Sequence, residues 1–183
     1  AGAPGAGKST LTSLLLEMLP AGSCVVVPMD GFHLADAALQ RLGRAERKGA
    51  PDTFDAAGYV ALLQRLRTAM PQDPPVWAPM FERGLEQPLA GAIEVPADVP
   101  LVLTEGNYLL SDAGGFAQVS ALLDARWFVE VPEERRHERL IARHERFGKP
   151  PGAARDWALG PDEANARLVA GTRSRADAVV SLP

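Results

Sequence analysis

Eight residues have the types and spacing of a loop that binds phosphate groups. Gly2 to Ser9 match G-x-x-x-x-G-K-[ST], the Walker A or P-loop pattern, and Thr10 to Leu19 follow with the apolar spacing of a helix. The glycines let backbone N–H groups turn inward, and a helix N-terminus adds about half a positive charge there. The alternative is a glycine-rich turn that only caps a helix. The match in register favours the phosphate loop.

Two side chains of this loop could act on phosphates directly. Lys8 supplies a full positive charge, and Ser9 is placed to give its hydroxyl to a Mg²⁺ ion that bridges terminal phosphates. The other positions that we assign to nucleotide binding in and beside the loop are Gly2, Pro4, Gly5, Ala6, Gly7 and Thr10.

Two carboxylates follow apolar runs that are typical of buried strands. Asp30 comes after Ser23 to Pro28 and could accept a proton from an attacking hydroxyl or help to hold the metal. Glu105 follows Val99 to Thr104 and could orient Mg²⁺ or its water. An Asx turn at Asp30 and a plain cap at Glu105 are the structural alternatives.

Three polar residues beside these carboxylates are candidate substrate contacts. His33 lies three residues after Asp30, although a lone histidine is more often structural. Asn107 and Tyr108 follow Glu105 and could form hydrogen bonds with a polar substrate, while a turn-forming Asn explains the first equally well.

An arginine-rich helix is predicted over Glu133 to Phe147. Its arginines recur three and four residues apart on one face, where they could bind phosphates, but interleaved glutamates also fit a solvated helix. Gly148 to Gly152 resemble a hinge, so we predict a mobile lid over about 136–158. The arginines concerned are Arg136, Arg139, Arg143 and Arg146.

The elements that must position these residues alternate between strand and helix, which predicts a three-layer, doubly wound α/β domain over residues 1–183 with a parallel sheet. An irregular hairpin-like insertion or substrate loop is expected over Val76 to Val95. A phosphate loop normally follows a strand, so we expect a further strand before residue 1. The predicted strands are Ser23 to Pro28, Val99 to Thr104, Arg126 to Val131 and Asp177 to Leu182; the predicted helices are Asp55 to Met70, Phe116 to Leu123, Glu133 to Phe147 and Pro161 to Arg175.

Composition narrows the class of protein. The 183 residues are 46% hydrophobic and 23% charged with a net charge of −4, which argues against disorder and against binding to nucleic acids or anionic membranes. The single cysteine, Cys24, excludes an intrachain disulfide and fits a reducing cytoplasm. No apolar run reaches the roughly 18 residues of a membrane span. We expect a small-molecule partner; whether the protein forms a homodimer is left open.

Five segments together resemble the family of phosphoribulokinase, uridine kinase and bacterial pantothenate kinase. They are Gly2 to Ser9, Met29 to Leu34, Arg47 to Asp55, Glu105 to Asn107 and Thr172 to Asp177, and they cover nearly the whole chain in order. The likeness is greatest to small kinases labelled nucleoside kinase-like or fructose transport system kinase.

This resemblance implies ATP- and Mg²⁺-dependent phosphorylation of a hydroxyl on a small metabolite. It implies that Lys8 and Ser9 bind the triphosphate and Mg²⁺, that Asp30 is the catalytic base, and that Glu105 is the acidic residue beside the metal. Arg143 would be the lid arginine, with Arg139 also binding nucleotide, and Arg173 would lie near the adenine or the phosphates.

The acceptor is less well defined by the sequence. Trp77-Ala78-Pro79 stands where pantothenate kinases carry Tyr-Ser-His, which weakens pantothenate and nucleosides as substrates and favours a sugar or sugar acid. Arg83 suits a carboxylate or polyhydroxyl ligand, unless it only pairs with Glu82 or Glu86. A nucleotide switch or ATPase that binds a protein partner is the rival hypothesis, and a catalytically dead kinase is a third. A cavity formed by the 76–95 segment beside Asp30 would favour a kinase.

Overall fold

The computed structural model describes residues 1–183. The chain contains six α-helices and six strands, joined by loops and short 3₁₀ turns. The helices are α1 (Lys8–Met18), α2 (Asp36–Arg41), α3 (Ala56–Thr68), α4 (Glu133–Arg146), α5 (Pro151–Leu159) and α6 (Pro161–Ala170), and the strands are β1 (Cys24–Pro28), β2 (Val76–Glu82), β3 (Gln87–Val95), β4 (Leu101–Glu105), β5 (Trp127–Glu130) and β6 (Ala178–Ser181).

Four of the strands form two parallel pairs. β1 pairs with β4 so that Pro28 lies opposite Glu105, and β5 pairs with β6. The residues that enter the phosphate loop run beside β5, because the Val129 N–H donates to the carbonyl of Ala1 over 2.8 Å. All four predicted parallel strands are therefore confirmed, each somewhat shorter than expected.

The segment over 76–95 is an antiparallel hairpin of β2 and β3, which confirms the predicted insertion. Its register shifts between Ala78 and Met80, around a proline that has no N–H to donate. The Pro79 carbonyl lies so close to Gly31 that a Cβ there would be 2.3 Å from it. Only glycine lets the hairpin pack this closely on the turn Met29–Phe32 that follows β1.

Helix α3 connects the two parts of the core. Tyr59 and Leu63 pack in a cluster with Met29 and Phe116, whereas Leu62 packs with β1 and the hairpin. The Tyr59 hydroxyl also lies 2.5 Å from that of Thr104 on β4. Each fully buried side chain of this size contributes about 1.5–3 kcal/mol, so α3 fixes the turn after β1 relative to the hairpin.

Several predicted elements differ from the structure. The helix expected over 116–123 is only two 3₁₀ turns, Gly114–Phe116 and Ser120–Leu122, because two adjacent glycines disfavour a helix start there. The helix expected to reach Arg175 ends at Ala170. The helices α2 and α5 were not predicted. No residue of α1 is buried, and its apolar side borders an open groove along β4.

None of the helices combines the length and the apolar character that a bilayer crossing requires.

Candidate functional site

The phosphate loop has the backbone shape that its glycines predict. Gly5 and Gly7 adopt φ values of 80° and 90°, in the region that favours glycine. A Cβ at either position would also lie 2.8 Å from a leucine side chain, Leu140 for Gly5 and Leu182 for Gly7. The loop leads into the N-terminus of α1, whose unpaired N–H groups and dipole favour an anion.

Lys8 is the cation at the centre of this loop. Its Nζ donates to Oδ1 of Asn107 over 2.7 Å and to the Ala3 carbonyl over 3.1 Å. Burial lowers the pKa of Lys8, and the charges of Glu105 and Asp30 offset part of that shift. Asn107, predicted as a substrate contact, thus holds the lysine of the loop.

Ser9 and Glu105 form an oxygen-rich corner next to Lys8. The Ser9 hydroxyl donates to the Glu105 carboxylate over 2.7 Å, and Glu105 is 8% exposed at the end of β4. Asp30 follows the neighbouring parallel strand, at the same edge of the sheet. Hydroxyl and carboxylate oxygens are what Mg²⁺ prefers, so this donor set fits the ion.

Asp30 lies in the 3₁₀ turn after β1, with Arg83 of the hairpin as its cation. Nη2 of Arg83 is 3.5 Å from Oδ2 of Asp30. Nδ1 of His33 lies 2.8 Å from the Asp30 carbonyl, and its ring packs against Phe54 and Phe81. Burial lowers the pKa of His33, which favours the neutral imidazole. The carboxylate of Asp30 is left available to a ligand.

Arg143 reaches the site from α4. Burial and the charge of Arg83 lower its pKa, and it forms no ion pair within 4.0 Å. The next residue, His144, is bonded to Asp162 of α6 over 2.7 Å. The hydrogen bond between His144 and Asp162 thus holds α4, the helix of Arg143, against α6.

These groups line one cavity of ≈ 470 Å³. The hairpin contributes Phe81 and Arg83 to its wall beside Asp30, so the 76–95 segment forms a cavity there rather than a flat patch. The predicted site residues that the cavity brings together are Pro4, Lys8, Ser9, Asp30, His33, Arg83, Glu105, Asn107 and Arg143.

Gly2, Gly5, Ala6 and Gly7 belong to the phosphate loop without lining the cavity, and four predicted residues beyond the loop also lie outside it. Tyr108 is buried and donates to the Gly49 carbonyl over 2.6 Å, so it belongs to the core and not to the cavity wall. Arg173 is on the surface with its Nε 2.7 Å from Glu130, and Thr10 is exposed on α1. Arg139 donates to the Pro183 carbonyl over 2.9 Å, beside Gly7 of the loop.

Sequence reasoning missed other residues of the cavity, among them Lys48 and the pair of His144 and Asp162. Lys48 lies inside one of the segments that carry the family resemblance, so that segment held a usable signal. His144 and Asp162 gave none, because only the packing of α4 on α6 brings them together.

No family model matches the chain. An ATP-dependent kinase-like protein of Aspergillus versicolor is 34% identical over 131 residues, which cover 69% of this chain and 76% of that protein. The uncharacterized Escherichia coli protein YggC is 33% identical over 183 residues, 98% of this chain and 74% of its own. A crystal structure from Silicibacter sp. TM1040, assigned provisionally as a fructose transport system kinase, is 40% identical with a TM-score of 0.81 and covers 98% of this chain and 86% of that one.

More distant relatives are a Schizosaccharomyces pombe protein that is provisionally named a uridine kinase, and bacterial pantothenate kinases. The chain covers 46% of the length of one of these pantothenate kinases. The chain belongs to this family of P-loop kinases. Its predicted doubly wound α/β fold and its class as a small-molecule kinase are thereby confirmed. The cavity around Lys8 and Asp30 is the candidate active site of this kinase.

Proposed function

We propose that this kinase is a cytoplasmic, Mg²⁺-dependent enzyme that transfers a phosphoryl group from ATP to an alcohol of a small metabolite, with a sugar or sugar acid as acceptor. The observation that carries the proposal is the shared cavity of the phosphate loop, Asp30 and Arg83. A nucleotide switch needs no acceptor pocket, so a cavity beside Asp30 favours a kinase over that alternative.

Each role follows from the contacts. Lys8 and Arg143 offset negative charge on the transferred phosphoryl group. Ser9 and Glu105 would hold Mg²⁺, which would supply further neutralisation of phosphate charge. Asp30 accepts the proton of the acceptor hydroxyl as its oxygen attacks phosphorus and the bond to the leaving ADP oxygen breaks. Catalysis is then mainly positioning and charge neutralisation.

The acceptor proposal rests on the hairpin. Trp77 is 51% exposed and does not line the cavity, while Phe81 and Arg83 do, so we assign acceptor recognition to Phe81 and Arg83 and not to the position where pantothenate kinases carry Tyr-Ser-His. Arg83 offers donors to a carboxylate or to sugar hydroxyls. We assign Arg139 to nucleotide binding because it lies beside Gly7 of the phosphate loop. Arg173 could bind nucleotide only by leaving its ion pair with Glu130.

The test is ADP release by the full-length protein across pools of sugars, sugar acids, nucleosides and pantothenate. We expect one pool to stimulate turnover, and Asp30→Asn to lower kcat by about 10²- to 10⁴-fold with nucleotide affinity retained. Arg65→Gln, on the exposed side of α3, is the control and should keep full activity. A protein with no acceptor-stimulated turnover in any pool contradicts the proposal, and an unchanged kcat in Asp30→Asn contradicts the role of Asp30.

A further inference from the structure

Two cations lie against the same aromatic ring of the cavity, and they differ in how well they are neutralised. The Phe81 ring centroid is 5.4 Å from Nζ of Lys48 and 6.0 Å from the guanidinium carbon of Arg83. Lys48 is 2.6 Å from a carboxylate oxygen of Asp36 and donates to the Glu86 carbonyl at the hairpin tip. The charge of Lys48 is thus neutralised by Asp36, and its hydrogen bond to Glu86 holds the hairpin tip that carries Arg83.

Arg83 has a much weaker partner. Its only carboxylate contact is Asp30 at 3.5 Å, the outer limit of a hydrogen bond, where well-formed charged pairs lie at about 2.7–2.9 Å. Its side chain is 39% exposed, so the guanidinium is accessible to a ligand in the cavity. Arg143 lies near enough for its pKa to be lowered by the charge of Arg83, after the larger effect of burial. Two guanidinium groups therefore face the same space. Asp162, Asp30 and Glu86 offset part of the shift at Arg143, but Arg83 has no carboxylate closer than the 3.5 Å of Asp30.

The transferred phosphoryl group is an anionic partner for Arg143 but not for Arg83, because the two arginines lie on different sides of the cavity. Arg143 is carried by α4, the helix that packs on Gly5 of the phosphate loop. Arg83 is carried by the hairpin, on the acceptor side with His33 and Phe81. An anion that comes with the acceptor is the ligand that would complete the coordination of Arg83.

We propose that Arg83 binds an anionic group of the acceptor, a carboxylate or a phosphate ester, and that in doing so it leaves Asp30 free to take the proton of the acceptor hydroxyl. This inference rests on the proposed function. A neutral acceptor offers only hydroxyl oxygens, which bind the guanidinium less strongly than an anion does, so the same arginine favours acidic acceptors over their neutral analogues. Arg83 is thus a specificity-determining residue whose fixed fork of donors suits planar and tetrahedral anions alike.

The experiment compares acceptors that differ only in the anionic group: glycerate and glycerol 3-phosphate against glycerol, and gluconate against glucitol. We expect wild-type kcat/KM to be about 10- to 100-fold higher for an acidic member than for its neutral partner. Arg83→Gln should remove that preference by lowering kcat/KM for the acid far more than for the neutral acceptor. The glycerate and glycerol 3-phosphate arms decide between carboxylate and phosphate.

Arg83→Lys keeps the charge without the fork and should restore part of the preference, while Arg65→Gln should alter nothing. Thermal unfolding of each variant checks the fold, and an exposed side chain such as Arg83 is expected to change it little. If wild type turns over neutral and acidic acceptors alike, or if Arg83→Gln keeps the preference, this inference is wrong and the proposed function stands. If no acceptor of any kind is turned over, the proposed function fails and this inference with it.

Discussion

Asp30 shows how much of the site depends on single side chains. His33 contacts the backbone carbonyl of Asp30 and not its carboxylate. The nearest cation to the carboxylate is the guanidinium of Arg83, 3.5 Å from Oδ2, so a ligand can still bind there. The position of Asp30 after an apolar strand was enough to predict it from the sequence. Its contact with Arg83 was not predictable, because the two residues are 53 positions apart and meet only through the packing of the hairpin.

His33 should make stability depend on pH. Its pKa in the folded protein lies below the ordinary value of 6.5, because burial opposes the charged form. The unfolded chain therefore binds the proton more readily, so stability is complete above about pH 6.5 and is lost as the pH falls below it, by at most about 1.4 kcal/mol per pH unit. Urea unfolding at pH 7.5, 6.0 and 5.0 should show a steeper loss for wild type than for His33→Gln. Equal slopes would contradict this origin.

The segment between α4 and α5 joins the arginine-bearing helix to the rest of the protein. The Gly148 N–H closes the end of α4 on the Glu145 carbonyl, and Gly148 has a φ of 92°. Helix α5 begins at Pro151, inside the predicted hinge over Gly148 to Gly152, because proline is favoured at the first position of a helix. Whether 136–158 moves as a lid stays a prediction.

Two glycines of this segment make a matched pair of variants. Gly148→Ala should lower the free energy of unfolding by about 1 kcal/mol, because alanine is strained at a positive φ. Gly152→Ala should raise it by up to about 1 kcal/mol, since Gly152 lies in α5 with open space around it. Chemical denaturation of both variants measures the difference, and a shift of the same sign in both would falsify the conformational explanation.

Across the whole molecule, nucleotide binding should link parts that are far apart in the chain. The phosphate loop packs on α4 through Gly5 and Leu140, and Lys8 is bonded to Asn107, 99 residues away. A ligand held by the loop therefore stabilises the loop, β4 and α4 together.

Nucleotide should accordingly raise the thermal stability of the protein. With Mg²⁺ and nucleotide at about 100 times its Kd, we expect a stabilisation of about 2.7 kcal/mol, most of which Lys8→Ala should lose at the same concentration. Arg65→Gln serves as the control and should keep the full shift. Calorimetry or a dye-based melting curve is sufficient, and an equal shift in Lys8→Ala would remove Lys8 from the nucleotide site.

The sequence by itself determined what local pattern encodes. The phosphate loop, the four parallel strands and the carboxylates that follow two of them are written in contiguous residues, because glycine spacing and apolar runs limit the backbone directly. Elements without such a pattern were misjudged, as with the 3₁₀ turns over 114–122.

Only the tertiary structure decided which side chains share the cavity. Tyr108 lies in the core, Asn107 accepts a hydrogen bond from Lys8, and Arg173 pairs with Glu130. The tertiary structure also brought Arg83, Lys48 and Arg143 together from three distant parts of the chain. Such meetings depend on how α3, the hairpin and α4 pack on the strands, and burial of apolar surface, which sets that packing, is a property of the assembled chain rather than of any one segment.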